Sequence, residues 1–520
     1  MSTALSSTET SRAKEGWFGE ARRATADARA LFAFRAGTLR GKSRRYAAIG
    51  VGTIVVITVL VSWLPAYLPE GDGRRLNVAT LLPSALLGVL VISIVSAAAT
   101  GGGRELLPRD QGVAFPVSAT TDHLGALMMA PLNVAWLLQS WTLMGSVSYV
   151  VGPSWKIIPS ELLVMLWLAT GTSIAQVVAW GIEWLRRGPG GVWGVRALGA
   201  ASTIGMAYLV ADDKLVPLLD NSRVPLWIVQ PILFDTPDLL PWVLRFAALP
   251  AAILVAVALG AMVAGAVAAR QPRDELKLES APYRPRATPR TELAALLRTD
   301  RVGIWRSVPL RRGLFVLGLM PGAVAVAGAL EWSMLTILPG LVASGGALLF
   351  GVNSWCLDGR GALWRDSLPV APKLVFVSRA VVLTEVLLFA TLLTLVLASL
   401  RAGVPTASEL VAVLVCALVV VLQVVSRSLR WSVSRPYAVD MRSARATPAP
   451  PLVMVGYSSR LALTTTLTGM LFAVTSRVGV DWTLILATPF LIFSAYRLVQ
   501  TAAAWADPEI RCNVVSTVAS

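Results

Sequence analysis

The sequence predicts an all-α polytopic membrane protein with about twelve transmembrane helices, arranged as two six-helix repeats. Of its 520 residues 55% are hydrophobic and only 15% charged, and the mean hydropathy is +0.66. Soluble domains carry more charge, so this composition is typical of a membrane protein. A polar, Arg- and Pro-rich connector at residues 270–312 separates two apolar blocks. Each block holds six hydrophobic segments of about the ~20 residues that a bilayer crossing requires.

Five regions follow from this pattern. The expected order is a cytoplasmic tail with an amphipathic interfacial helix (1–45), a first six-span half (46–269), the cytoplasmic connector (270–312), a second six-span half (313–505) and a cytoplasmic C-terminal tail (506–520). Basic and aromatic residues alternate within 17–40, which favours a helix lying on an anionic leaflet. A solvated basic tail is the alternative.

The twelve spans are predicted from the apolar runs. In the first half they cover 46–68, 78–99, 124–149, 162–185, 192–211 and 242–269. In the second half they cover 313–331, 333–355, 374–400, 407–425, 461–478 and 482–505. Five prolines interrupt spans or lie near their ends, where proline can kink a helix around a pathway, although it is common in membrane helices in general: Pro131, Pro250, Pro321, Pro339 and Pro489.

Charge predicts the orientation. With the N-terminus inside, 34 Lys/Arg lie in cytoplasmic segments and 7 in outer ones. Both termini and the connector are therefore expected in the cytoplasm, in a multi-pass protein of the plasma membrane. The same bias explains the net charge of +16 without nucleic acid as a partner.

The outer segment 212–241 carries five aspartates and Trp227. A mixed acidic and apolar segment of this length can form short helices lying at the outer surface. Because the aspartates lack the alternate-residue spacing of a calcium loop, a solvated lid is favoured over a calcium site.

Catalytic, metal and cofactor sites are not expected. Three scattered cysteines and one histidine, His123, lack the spacing of a metal or disulfide framework. The segment 37–43 resembles a P-loop but has three residues between its glycines instead of four, so we expect no ATP hydrolysis by this chain.

Two loops repeat one pattern at corresponding places, after the second and eighth spans. Aligning Phe115-Pro116-Val117 of loop 101–117 with Leu368-Pro369-Val370 of loop 353–370 places Glu105 over Asp358. An acid, a charged turn and an apolar-Pro-Val exit occur twice, which indicates a duplicated six-span unit. The charged residues of the two loops are Arg104, Glu105, Arg109, Asp110, Asp358, Arg360, Arg365 and Asp366.

This topology and these loops resemble the permease subunits of ABC type-2 exporters, in a form with two fused six-helix halves. The N-terminal helix and the long outer segment 212–241 also match that family's plan. The resemblance implies a separate ATP-binding-cassette ATPase, in two copies, that docks on the paired loops. It also implies export of a small-molecule or lipid-like substrate. The simpler interpretation is that the two loops are ordinary turns, because inner loops of membrane proteins are often basic and rich in Gly and Pro.

Polar residues at membrane depth mark the candidate translocation path. Glu385 falls near the middle of the ninth span, where an ionisable group costs at least ~2.5–3.5 kcal/mol. Asn133 and Gln139 lie in the third span. Hydrogen bonding between helices is the alternative role for all three.

Three other interpretations remain open. A secondary transporter of the major facilitator class also has six-plus-six spans, and Asp358-Gly-Arg-Gly weakly echoes its inner-loop signature. A lipid-linked glycosyltransferase would need outer-face acids, for which Glu70 and Asp72 are the candidates. A structural membrane scaffold is the remaining interpretation.

Overall fold

A computed structural model describes residues 17–37, 42–69, 73–100, 117–132, 134–212, 214–234, 238–270, 287–359, 361–438, 449 and 451–519. It is 86% helical, and the described residues contain no strand. Contacts between Cα atoms divide the chain into two compact units, Met1–Arg273 and Asp274–Ser520.

The first unit is built from ten helices within its described residues. They are α1 Trp17–Gly37, α2 Lys42–Trp63, α3 Arg74–Thr100, α4 Ala119–Met129, α5 Val134–Val151, α6 Ile157–Arg187, α7 Gly191–Ala211, α8 Leu215–Asp220, α9 Arg223–Leu233 and α10 Leu240–Ala268. Helices α3, α5, α6, α9 and α10 supply its main apolar core. Helix α1 packs on α4 through small side chains, with Ala24 and Ala28 fully buried.

The second unit also contains ten helices within its described residues. They are α11 Glu292–Arg306, α12 Val308–Ala327, α13 Trp332–Leu335, α14 Leu338–Leu349, α15 Gly361–Asp366, α16 Pro372–Ser399, α17 Ala407–Ser434, α18 Pro451–Val478, α19 Val480–Ala506 and α20 Pro508–Ala519. A single large core joins most of them around α17, one side of which is buried along its length.

Local chemistry explains several helix ends. Thr406 and Glu409 form a reciprocal cap at the start of α17: the backbone N–H of Glu409 donates to the Thr406 hydroxyl, and the backbone N–H of Thr406 donates to the Glu409 carboxylate. Thr291 caps α11 by accepting a hydrogen bond from the backbone N–H of Ala294, at 3.2 Å.

Within the described residues, seven helices are long and apolar enough to cross a membrane, or eight if one bent pair is a single span. The seven lie in α3, α6, α10, α16, α17, α18 and α19, and the bent pair joins Trp332–Ala347 to Gly351–Leu357. Large apolar side chains such as Leu254 and Val499 point outward from them. The chain is therefore an all-α, membrane-spanning protein, whereas the twelve spans and their repeat remain a prediction.

Two predicted spans are interrupted, and one of the interruptions contains a proline. Within 124–149, a 3₁₀ turn at Ala130–Leu132 contains Pro131 and separates α4 from α5. Within 333–355, Pro339 stands in the first turn of α14, whereas the 45° bend of this span lies between Ala347 and Gly351, where there is no proline. Because proline lacks a backbone N–H and clashes with the preceding turn, it is tolerated at helix starts and disrupts helix interiors.

Other boundaries also differ from the sequence-based ones. Part of the connector forms α11, and the C-terminal tail forms α20. Helix α17 continues beyond residue 425 to Ser434, and α18 begins at Pro451 instead of 461. The segment 212–241, which is predicted to lie at the outer face, contains the two short helices α8 and α9.

Candidate functional site

Loop 353–370 is folded tightly onto the helices of the second unit. A 3₁₀ turn, Gly351–Leu357, leads through Gly359, whose φ of +48° favours glycine, into α15. The Asn353 amide donates to the Tyr437 carbonyl at 2.7 Å. The Trp355 indole stacks on Trp505 of α19 with 3.8 Å between ring centroids. The backbone N–H of Ser354 also donates to the Ser432 hydroxyl of α17 at 2.8 Å, so the loop is fixed to both α17 and α19.

Four charged side chains converge beneath this loop; we call them the four-charge cluster. Its members are Asp300 of α11, Asp358 and Arg365 of the loop, and Arg379 of α16. Arg365 donates to Asp300 at 2.7 Å and to Asp358 at 2.9 Å. Arg379 pairs with Asp358 at 2.7 Å and with Asp300 at 3.2 Å. Two positive and two negative charges make the cluster electrically neutral.

The ion pairs of the four-charge cluster are largely buried. The side chain of Arg379 is 0% exposed and that of Asp300 is 2% exposed. Burial by itself raises the pKa of the Asp300 carboxyl, but Arg379, Arg365 and the Ser378 hydroxyl outweigh it and hold that pKa below its usual value. Asp300 is therefore ionised at neutral pH and ties three segments of the chain together.

A groove of about 370 Å³ lies beside the cluster, between the loop and the C-terminal helix. We call it the loop groove. One side is formed by Trp355, Arg365 and Pro369, and the other by Trp505 of α19 and apolar residues of α20. At its edge, Arg511 of α20 pairs with Asp366 at 2.9 Å, in a partly exposed ion pair.

The outward face of α15 is apolar. Leu363 is 57% exposed and Trp364 is 68% exposed, whereas Ala362 of the same helix is buried. Exposed apolar side chains on an otherwise charged loop are typical of a contact surface.

Glu385, the candidate path residue on α16, has a partner that the sequence analysis did not identify. Arg301 of α11 donates two hydrogen bonds to the Glu385 carboxylate, at 2.6 and 2.8 Å. Both side chains are nearly half exposed, at 48% and 42%. The pair lies on the outside of the second unit. Gln139 is partly buried on α5 in the first unit.

Several predicted residues lie outside the described part of the chain. They are Arg104, Glu105, Arg109, Asp110, Asn133 and Arg360. The charged residues of loop 101–117 are therefore not described, so the geometry of loop 353–370 has nothing to be compared with. The equivalence of the two loops stays a prediction.

His123 is a packing residue in the described structure. It is fully buried, and its Nδ1 accepts a hydrogen bond from the Trp180 indole at 3.1 Å. Its ring lies against Gly260, where a Cβ would overlap it. No group of three or more His, Cys, Asp or Glu able to hold a metal occurs among the described residues.

Two sets of functional candidates were missed from the sequence. Asp300 and Arg379 are 79 positions apart, and only the fold brings them together. Arg427, Arg430 and Arg460 were assigned to a cytoplasmic loop, but they lie within α17 and α18. The signal that could have revealed them is arginine recurring beside long apolar runs.

No protein-family model, curated protein or solved structure matches this chain.

Proposed function

We propose that this chain is the permease subunit of an ABC-type exporter, driven by ATP that a separate nucleotide-binding protein hydrolyses. The observation that carries the proposal is the construction of loop 353–370. Its α15 presents Leu363 and Trp364 outward, while its inner side is locked to α16 and α11 through the four-charge cluster. A loop that must pass work from a soluble ATPase to a membrane helix needs both properties.

The coupling path runs from α15 to α16. Arg365 and Asp358 lie on the loop side of the cluster, and Arg379 lies two turns into α16. Separating a buried ion pair leaves an uncompensated charge and costs about 3–5 kcal/mol. Displacement of the loop therefore moves α16 with it, because the alternative of pulling the cluster apart is more costly.

The proposal changes the roles of the loop charges. Asp358 and Arg365 act inside the chain as positioning residues, since their partners are Asp300 and Arg379. Contact with the ATPase falls to Leu363 and Trp364, with the Asp366–Arg511 pair beside them. In the proposed complex the four charged residues of loop 101–117 contact the second copy of the ATPase.

The proposed exporter has the location and the substrate class that the sequence predicts. The protein is a multi-pass protein of the plasma membrane with both termini cytoplasmic, and it has no enzymatic activity of its own. Its substrate is a small-molecule or lipid-like compound, and Glu385, Asn133 and Gln139 are the candidate residues of the path. Nucleic acid is not a partner.

The test compares the two ends of α16. The tagged full chain is purified from its native membranes, and ATP hydrolysis and co-purifying proteins are measured. The double variant Leu363→Ser/Trp364→Ser is compared with Leu400→Ser/Val404→Ser, whose residues are even more exposed and lie beyond the other end of α16. We expect a protein with Walker motifs to co-purify with the wild type and the control. Its recovery with the loop variant should fall about tenfold or more, since aromatic contact residues each contribute ~2 kcal/mol or more.

The rival is a secondary transporter of the major facilitator class, and the same material distinguishes it. Liposomes containing only the purified chain would then transport under a proton gradient without nucleotide. That result, together with no ATPase in the purified fraction, would refute the exporter proposal.

A further inference from the structure

A second concave site in the same unit is lined almost entirely by cations and aromatic rings. We call it the arginine cleft; its volume is about 260 Å³. It lies where α17, α18 and α19 approach one another. The residues around it are Arg427, Arg430, Trp431, Ser434, Tyr457, Arg460, Leu461 and Arg497.

Three of the arginines reach the cleft from different helices at a similar depth. Arg427 is seven residues from the end of α17, and Arg460 and Arg497 are each nine residues from the corresponding ends of α18 and α19. At 1.5 Å per residue these are roughly 10–14 Å. Arg427 and Arg497 are half-buried and Arg430 and Arg460 are exposed, so the four arginines line an open cleft that lies about two turns from the helix ends.

Among the described residues, no carboxylate forms an ion pair with any of the four arginines. Arg427 donates to the Thr464 hydroxyl, which is uncharged. The Nε of Arg497 is buried and has no hydrogen-bond partner within the described structure. Four like charges repel one another, and they do so more strongly where protein and lipid replace water. An anion bound among the arginines would offset that repulsion.

The floor of the cleft is rigid and the rim is apolar. The Tyr457 hydroxyl and the buried Ser428 hydroxyl lie 2.8 Å apart in a hydrogen bond, and the Trp431 and Tyr457 rings lie 5.2 Å apart. Exposed apolar side chains share the helix faces that carry the arginines. Leu463, one turn from Arg460, is 63% exposed, and Phe493, whose ring lies 4.6 Å from the Arg497 guanidinium, is 54% exposed.

We propose that the arginine cleft binds the phosphoryl group of an anionic ligand. Guanidinium groups match phosphate through paired, charge-assisted hydrogen bonds, and basic pockets between membrane helices hold lipid head groups. The adjoining apolar surfaces of α18 and α19 suit acyl chains, so a phospholipid head group fits the surroundings better than a soluble phosphate. This site does not depend on the exporter proposal.

The test measures the Tm of the purified full chain in an uncharged detergent. The probes are phosphatidylglycerol with phosphatidylcholine as its zwitterionic counterpart of zero net charge, and inorganic phosphate and ATP against chloride at equal ionic strength. The variant is Arg427→Gln/Arg497→Gln. The control is Arg477→Gln, because Arg477 is an exposed arginine in the last turn of α18, at the opposite end from the cleft.

We expect phosphatidylglycerol to raise the Tm of the wild type and of the control, and to bind the double variant at least about tenfold more weakly. Without any anion the double variant should be no less stable than the wild type, because two repelling charges are gone. If the glutamine variant does not fold, Arg427→Lys/Arg497→Lys keeps the charge, loses the paired geometry and should bind with intermediate affinity.

The lipid probes and the soluble probes distinguish a lipid ligand from a soluble one. A response to phosphatidylglycerol alone identifies a lipid head group, and a response to phosphate or ATP identifies a soluble ligand; both support a phosphoryl site. No response to any probe, or an equal response in the double variant, would overturn the proposal.

Discussion

Replacing Asp300 with asparagine tests the four-charge cluster most directly. Asp300→Asn keeps the shape of the side chain and removes one negative charge from a neutral, buried set of four. Asp358 then faces Arg365 and Arg379 alone, and the cluster carries a net charge of +1. Arg379 is 0% exposed, so water cannot solvate the excess charge.

The magnitude follows from the burial of the partners. Removing one member of a buried pair costs about 3–5 kcal/mol. For a unit of this size such a loss lowers Tm by roughly 6–20 °C. The double variant Asp300→Asn/Arg365→Gln restores neutrality, so it should be more stable than Asp300→Asn alone.

The assay is thermal unfolding of the purified full chain in one detergent at neutral pH. Asp366→Asn serves as the matched control, because Asp366 pairs with Arg511 at the partly exposed edge of the loop groove. Exposed pairs contribute about 0–1 kcal/mol, so its Tm should hardly change. Equal Tm losses for Asp300→Asn and Asp366→Asn, or no recovery in the neutral double variant, would refute the buried-cluster reasoning.

Three further outcomes are expected. The pKa of Asp300 is lowered in the folded chain, so the ionised carboxylate stabilises the fold fully above the ordinary aspartate pKa of ~3.9, and this stabilisation is lost as pH falls towards the lowered pKa. Asp300→Asn should therefore make Tm less dependent on pH in the acid range. Glu385→Gln and Arg301→Gln should lower Tm by similar amounts, with little added by combining them, because the two residues form one pair; lost export at unchanged Tm in Glu385→Gln alone would assign that residue to the path. Gly260→Ala should cost about 1–3 kcal/mol by overlapping the buried histidine ring, whereas Gly265→Ala, which has open space around it, should not.

Predictions from local patterns agreed best with the structure. Long apolar runs such as 374–400 and 482–505 became the uninterrupted helices α16 and α19. The predicted start of the span 407–425 also coincides with the start of α17, where Thr406 and Glu409 cap the helix. Such features depend on a few neighbouring residues, so a window along the sequence is enough to find them.

The candidate site was predicted only in outline. Loop 353–370 was singled out, but its charges were expected to face a partner protein, whereas Asp358 and Arg365 pair inside the chain. The exposed Leu363 and Trp364 were not distinguished from the other loop residues. Exposure depends on which face of α15 packs against the rest of the unit, and six residues give no reliable periodicity.

The sequence by itself determined the all-α class, the division into apolar blocks and the polar connector, because composition and hydropathy are local properties. The tertiary structure decided which charges are neutralised. Asp300 meets Arg379 across 79 positions, and the arginines of the cleft converge from three helices without a described acid among them. Charges interact through space over a few ångströms, so their partners depend on helix packing, which no stretch of sequence specifies alone.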